Sequence, residues 1–110
     1  MRRVLFDEDV PRPLRRDLPG FEIQTVVEAG WSGIKNGELL RRADPLFDAF
    51  LTADRNLPFQ QNLTALHRMG LVVLATGSTR LKDLQPFASE IAAALDAVGP
   101  GTLLRISRKE

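Results

Sequence analysis

Apolar runs and helical patterns alternate along the chain. Five short runs are rich in aliphatic and β-branched residues, and they occupy residues 3–7, 21–27, 47–53, 71–75 and 102–106. Runs of this length that end in turn residues or acids are typical of parallel strands, because such strands are buried on both faces. The pattern therefore predicts five strands.

Helical patterns fill the segments between these runs. The predicted helices cover residues 14–18, residues 37–43 after a cap at Asn36, part of 56–68, and a long amphipathic stretch from Asp83 or Gln85 to Val98. This alternation predicts an α/β fold, a sandwich with a mostly parallel five-stranded sheet and helices on both of its faces. We expect its crossovers to be right-handed.

The composition indicates a single domain and narrows the classes of function. The chain has 110 residues, a net charge of +1 and no cysteine. That charge balance does not predict a protein that binds nucleic acids nonspecifically. The lack of thiols excludes disulfides, a cysteine nucleophile and thiolate metal sites. Because no secretory signal or membrane-spanning stretch is found, we expect a cytoplasmic protein that does not associate with membranes.

Three acids are the candidates for chemistry. Asp7 ends the first predicted strand, Asp54 follows the third, and Glu38 lies in the first turn of the second helix. Ligands of parallel α/β sheets bind outside the carboxyl ends of the strands, where these acids are expected to converge. Carboxylates brought together repel one another and attract a cation, and oxygen ligands favour Mg²⁺ or Mn²⁺. Taken singly, each acid is better explained as a helix cap or a solvent-facing charge, but Asp7 and Asp54 together favour a shared site because each ends an apolar strand of one parallel sheet.

Other catalytic constellations have little support. His67 is the only histidine, and the chain lacks both a nucleophile elbow and a glycine-rich phosphate loop. Trp31 lies in a glycine-rich loop, where it could stack on a base, anchor the loop or contact a second copy of the chain. A homodimer is therefore among the assemblies that the sequence leaves open.

Several segments together resemble a known family. Residues 5–11 read LFDEDVP, residues 33–40 read GIKNGELL, residues 50–57 read FLTADRNL, and residues 60–63 read QQNL. In this order they resemble the small bacterial PIN-like proteins, a domain of unknown function regarded as toxin-like nucleases, and the resemblance covers nearly the whole chain. It implies a single PIN-like domain over residues 1–110 with a three-layer α/β/α sandwich.

The resemblance also implies an activity and partners. It implies a metal-dependent ribonuclease, the toxin of a bacterial toxin–antitoxin pair, with RNA as substrate and a small cognate antitoxin as partner. The family's metal acids correspond to Asp7, Glu38 and Asp54, which would bind Mg²⁺ or Mn²⁺. Residues 76–80 offer no fourth acid, and Asp9 is the expected substitute.

Four basic residues are candidates for contacts with RNA phosphates. Arg55 and Lys35 lie beside two of the acids in the sequence, and Arg12 and Arg80 are weaker candidates. Ordinary surface charge explains each of them equally well.

Two alternatives remain open. In a response-regulator receiver, the acidic cluster would be Asp7, Glu8 and Asp9. Asp54 would accept the phosphoryl group, and Thr76 and Lys109 would take the hydroxyl and lysine roles. The short separation of Asp54 from Thr76 leaves little room for a receiver's long connection. The other alternative is a PIN-like fold that binds RNA or an antitoxin without cutting.

Overall fold

A sheet of five parallel strands forms the centre of the part of the chain that the computed structural model describes, residues 1–108. The strands are β1 (Arg3–Phe6), β2 (Glu22–Thr25), β3 (Ala49–Thr52), β4 (Gly70–Ala75) and β5 (Leu103–Ser107). They lie in the order β2-β1-β3-β4-β5, and every pairing is parallel. The predicted α/β fold is confirmed, and the sheet of the described residues is wholly parallel.

Short helices connect the strands. The α-helices of residues 1–108 are α1 (Asn36–Ala43), α2 (Leu57–Gln60), α3 (Leu81–Leu84) and α4 (Ala88–Ala97). Three 3₁₀ segments accompany them, at Arg12–Asp17, Leu63–Ala65 and Gln85–Phe87. Within the described residues, no helix has the length and apolar character needed to cross a bilayer.

Helices cover both faces of the sheet, which makes the three-layer sandwich. On one face, Leu14 of the first 3₁₀ segment and Ile91 of α4 pack in one core with Phe6. On the other face, Leu40 of α1 packs in a second core with Leu5. Neighbouring strand residues point to opposite faces, so the two cores share every central strand.

The connection from β4 to β5 has the opposite hand to the connection from β2 to β3. Both step in the same direction across the sheet, yet α1 and α4 lie on opposite faces. The expectation that the crossovers share the right hand is therefore wrong for one of them. The 3₁₀ segment after β1 has only 6 residues and covers little of its face of the sheet. Because α4 packs on that same face, it buries the apolar strand residues that the short segment leaves uncovered.

Two predicted helices differ from those observed. The long amphipathic helix begins earlier, at Leu81, and is broken into α3 and α4 by the 3₁₀ segment that contains Pro86. Proline removes a backbone donor and clashes with the preceding turn, which explains the break. Asn36 is the first residue of α1, not its cap, since Lys35 holds the cap position without a side-chain hydrogen bond.

The segment between β3 and β4 carries less helix than its pattern predicts. It contains only the 4 residues of α2 and a 3-residue 3₁₀ turn. Immediately afterwards, the buried carboxylate of Asp44 accepts backbone N–H groups from His67, Arg68 and Met69 at 2.9–3.1 Å. These contacts fix the bend at His67 and Arg68 that leads into β4, which a local sequence pattern does not reveal.

Candidate active site

The carboxyl ends of β1 and β3 meet at the point where the strand order reverses. β1 lies between β2 and β3. After β1 the chain crosses to one side of it to form β2, and it then passes back to the other side to form β3. Asp7 follows β1 directly and donates its N–H to Leu51 O of β3 at 2.9 Å. Asp54 comes two residues after the end of β3. Such a switch point opens the crevice in which doubly wound sheets bind their ligands.

Thr52 links the two acids. Its side-chain hydroxyl donates to Asp7 Oδ2 at 2.7 Å and accepts the backbone N–H of Asp54 at 3.0 Å. Thr52 is completely buried. Because a buried polar group needs its partners, this bridge holds the Asp7 carboxylate and the Asp54 backbone in one arrangement. Thr52 was not among the residues expected at the site, although a hydroxyl residue at the end of a predicted strand, two positions before an acid, is a usable signal.

Asp9 joins the same edge. Its Oδ1 accepts the backbone N–H of Ala53 at 3.1 Å, which brings the carboxyl group against the end of β3. Part of the residue stays exposed, but partial burial of the carboxyl group, followed by the negative charges of Asp7 and Asp54, raises its pKa from 3.8 to about 6. Asp9 therefore loses its proton less readily than an ordinary surface aspartate.

Local backbone contacts orient the remaining oxygens. Asp7 Oδ1 accepts the N–H of Glu8 at 2.9 Å, and Asp54 Oδ1 accepts the N–H of Asn56 at 3.0 Å. The second contact is an Asx turn, in which an aspartate side chain accepts the backbone N–H of the residue two positions further along the chain. We call Asp7, Asp9 and Asp54 the acidic edge.

Glu38, the third expected metal ligand, makes different contacts. Its carboxylate forms ion pairs with Arg41 and Arg42 of its own helix, the second at 3.0 Å. Among residues 1–108, no group of three or more acidic, histidine or cysteine side chains converges closely enough to hold a metal ion. The predicted set of Asp7, Glu38 and Asp54 is therefore not assembled as one ligand group in these residues.

The acidic edge suits a hydrated divalent ion better than a protein cage. Its charges are close enough to raise the pKa of Asp9, but electrostatic influence reaches further than a coordination bond of about 2 Å. Mg²⁺ commonly keeps several waters and uses one or two carboxylates together with substrate phosphates. The donors of the acidic edge fit that mode of binding.

The predicted phosphate contacts fall into different surroundings. Arg55 is exposed and follows Asp54 directly, and Arg12 is exposed and lines a cavity of about 360 Å³ together with Asp7. Lys35 is exposed and precedes α1. Arg80 pairs with Asp83 at 3.2 Å. Arg55 and Arg12 are thus the candidates that lie next to the acidic edge.

Three other residues singled out in the sequence have clear positions. Trp31 packs edge-on against Phe47 with ring centroids 6.2 Å apart, so it anchors its loop on the α1 face. His67 is exposed. Thr76 is buried and donates its hydroxyl to Ser78 O at 2.9 Å. Lys109 lies outside the described residues.

A larger cavity, of about 700 Å³, lies apart from these groups. It is lined by residues of α1 and of the segment before β4, among them Leu40, Asp44 and Leu66, and by none of the acidic-edge residues. Volume alone does not make an active site, so the acidic edge remains the candidate because it combines polar groups with a perturbed pKa.

Comparisons with protein-family models, with curated proteins and with solved structures find no match to this chain.

Proposed function

We propose that the chain is a metal-dependent ribonuclease whose active site is the acidic edge. The observation that carries this proposal is the gathering of Asp7, Asp9 and Asp54 at the switch point, where burial and like charges raise the pKa of Asp9 to about 6. A bound cation stabilises the ionised form of such acids, whose mutual repulsion otherwise opposes full ionisation. Mg²⁺ and Mn²⁺ are the ions that such oxygen ligands favour.

Each residue of the proposed site has a distinct task. A divalent ion, when bound, would lower the pKa of a bound water and offset the charge that develops on the scissile phosphate. One or two of the carboxylates of Asp7, Asp9 and Asp54 would bind the hydrated ion, and Thr52 positions Asp7 and the backbone of Asp54 through its buried hydroxyl. Arg55 would bind a phosphate of the substrate, since guanidinium groups suit phosphate oxygens.

The biological setting is proposed from the family resemblance. The resemblance of residues 5–11, 33–40 and 50–57 to PIN-like proteins supports a bacterial toxin that acts on cytoplasmic RNA and is neutralised by a small antitoxin. A reading frame for a small antitoxin beside the gene, and recovery of growth when both are expressed, would support this setting. Growth that is unaffected by expression of the chain alone would contradict it.

The activity is tested with single-stranded RNA and Mn²⁺. We expect the wild-type protein to cleave, and Asp7→Asn and Asp54→Asn each to remove nearly all cleavage, because groups that hold one ion act as a unit. Glu38→Gln is the matched control, since Glu38 pairs with arginines of α1, and it should retain most of the activity. Equal cleavage by wild type and Asp7→Asn, purified in parallel, would identify a contaminating nuclease and refute the proposal.

The strand order favours a second candidate. The order β2-β1-β3-β4-β5 is the flavodoxin-like order, which response-regulator receivers also have, although the opposite hand of the β4–β5 connection departs from the right-handed crossovers of such sheets. In a receiver, Asp54 would be phosphorylated in the presence of Mg²⁺. Treatment with acetyl phosphate and Mg²⁺ distinguishes the two candidates, because an adduct seen by intact mass and absent from Asp54→Asn would establish the receiver and exclude the nuclease as the primary function.

A further inference from the structure

An open groove lies beside the acidic edge, on the α2 side of the sheet. It has a volume of about 380 Å³ and is lined by Arg55, Asn56, Phe59, Ala75, Arg105 and Ser107. Arg55 follows Asp54 in the chain, while Ala75 and Ser107 are the last residues of β4 and β5. The groove therefore runs from the acidic edge along the carboxyl ends of the neighbouring strands.

Phe59 is the most exposed aromatic feature of this groove. Phe59 is 79% exposed, although burial of a phenylalanine side chain away from water is energetically favourable. The Arg105 guanidinium lies over the ring, 6.0 Å from its centroid, at the outer limit of a cation–π contact. The ring is thus held by one partner and still offers a large flat surface to solvent.

The charge of the groove is positive. Its lining contains two arginines and no acid. In residues 1–108, neither Arg55 nor Arg105 takes part in an ion pair. Both guanidinium groups are therefore available to an anionic ligand, and they flank the aromatic ring.

We propose that this groove binds single-stranded RNA, with a base stacked on Phe59 and neighbouring phosphates on Arg55 and Arg105. An exposed aromatic ring between cationic side chains matches the alternation of bases and phosphates in a single strand. A duplex does not fit, because its bases are already stacked and paired. The inference rests on the proposed ribonuclease function, for which the groove would guide the strand toward the acidic edge.

Binding is measured by fluorescence anisotropy with a labelled uridine oligonucleotide of roughly a dozen nucleotides, longer than the several nucleotides that one binding face covers. EDTA in the buffer prevents metal-dependent cleavage, so the readout is independent of activity. We expect Phe59→Ala to weaken binding by about tenfold, in the range that loss of one stacked base produces. Phe59→Trp keeps a flat ring and should bind at least as well as the wild type.

The arginines give a second readout. Arg105→Ala and Arg55→Ala should each weaken binding and reduce its dependence on salt, because each removes about one phosphate contact. Arg16→Ala is the charge-matched control, since Arg16 is exposed in the 3₁₀ segment on the other face of the sheet. Leu46→Ala is the control for loss of an exposed apolar side chain, and neither control should change the affinity.

Several outcomes would overturn the proposal. These are wild-type affinity of a folded Phe59→Ala variant, equal affinity for duplex and single-stranded RNA, and no RNA binding by the wild type. The proposed RNA groove and the proposed nuclease activity can be refuted separately. If Phe59→Ala weakens RNA binding but no Asp7-dependent cleavage is found, only the groove is supported. If cleavage depends on Asp7 but Phe59→Ala binds RNA as tightly as the wild type, the nuclease is supported and the groove is refuted.

Discussion

The Thr52 hydroxyl donates a hydrogen bond of 2.7 Å to Asp7 Oδ2, although 45 positions separate the two residues in the chain. Thr52 Oγ1 also accepts the backbone N–H of Asp54, so a single buried hydroxyl ties the end of β1 to the turn after β3. The acids of the proposed site are therefore held by the sheet itself and not by a mobile loop, which favours a constant geometry.

Thr52→Val should destabilise the protein by about 1–3 kcal/mol, because it leaves a half-buried carboxylate oxygen of Asp7 and the backbone N–H of Asp54 without their buried partner. Valine has nearly the shape of threonine, so packing changes little. Urea denaturation measures the loss, and Thr52→Ser, which keeps the hydroxyl, is the control. A valine variant as stable as the wild type would show that the bridge contributes nothing to folding.

Mn²⁺ should raise the melting temperature, because an ion that binds only the folded protein stabilises it by mass action. Above the dissociation constant, each tenfold increase in Mn²⁺ should add about 1.4 kcal/mol of stability. Asp54→Asn should abolish the rise. Asp96→Asn removes the same charge from an exposed position in α4 and should retain it. The shared ion site is refuted if wild type and Asp54→Asn respond alike.

Asp9→Asn should stabilise the metal-free protein above pH 6. The folded pKa of Asp9, about 6, exceeds its unfolded value near 3.9, so the folded state binds the proton more tightly. Protonation of Asp9 therefore contributes fully to the free energy of unfolding below about pH 4, and this contribution is lost as the pH rises through 6. Melting temperatures in EDTA should show the variant's advantage at pH 8 and its disappearance toward pH 4. An advantage that does not vary with pH would contradict this origin.

Asp44→Asn should cost about 1–3 kcal/mol at pH 7, because the amide has no negative charge and places an NH₂ donor where Asp44 Oδ2 accepts the backbone N–H of His67. Burial tends to raise the pKa of Asp44, but the backbone hydrogen bonds from residues 67–69 outweigh it and lower the pKa. The contribution is therefore present above the ordinary pKa of aspartate and is lost as the pH falls through the lowered value. Chemical denaturation at several pH values measures it, and a deficit that persists unchanged in strong acid would refute this assignment.

Gly70→Ala should destabilise the fold by about 1–3 kcal/mol, as expected for an overpacked core. A Cβ atom at Gly70 would lie 2.5 Å from Gly99 O and 2.6 Å from Val98 Cγ2, so backbone would have to move. Gly20→Ala is the matched control, because a Cβ atom there meets nothing within 4 Å. Equal thermal stability of the two variants would contradict the predicted clash.

The sequence by itself determined the class of fold and the approximate place of the acids. Strand and helix periodicities are local properties, so runs such as residues 71–75 predict their element without knowledge of the rest of the chain. Asp7 and Asp54 follow strands in the sequence, and parallel strands place such residues at one edge. Element boundaries were less predictable, because Pro86 and the contacts of Asp44 change how far a helical pattern continues.

Only the tertiary structure decided the order of the strands and the partners of each side chain. No local pattern shows that β1 lies between β2 and β3, that Thr52 bridges Asp7 and Asp54, or that Glu38 turns to the arginines of its own helix. The contact between Phe59 and Arg105 likewise depends on β5 lying beside β4. Such contacts join residues far apart in the chain, and they follow from how whole layers bury their apolar faces, which short stretches of sequence do not specify.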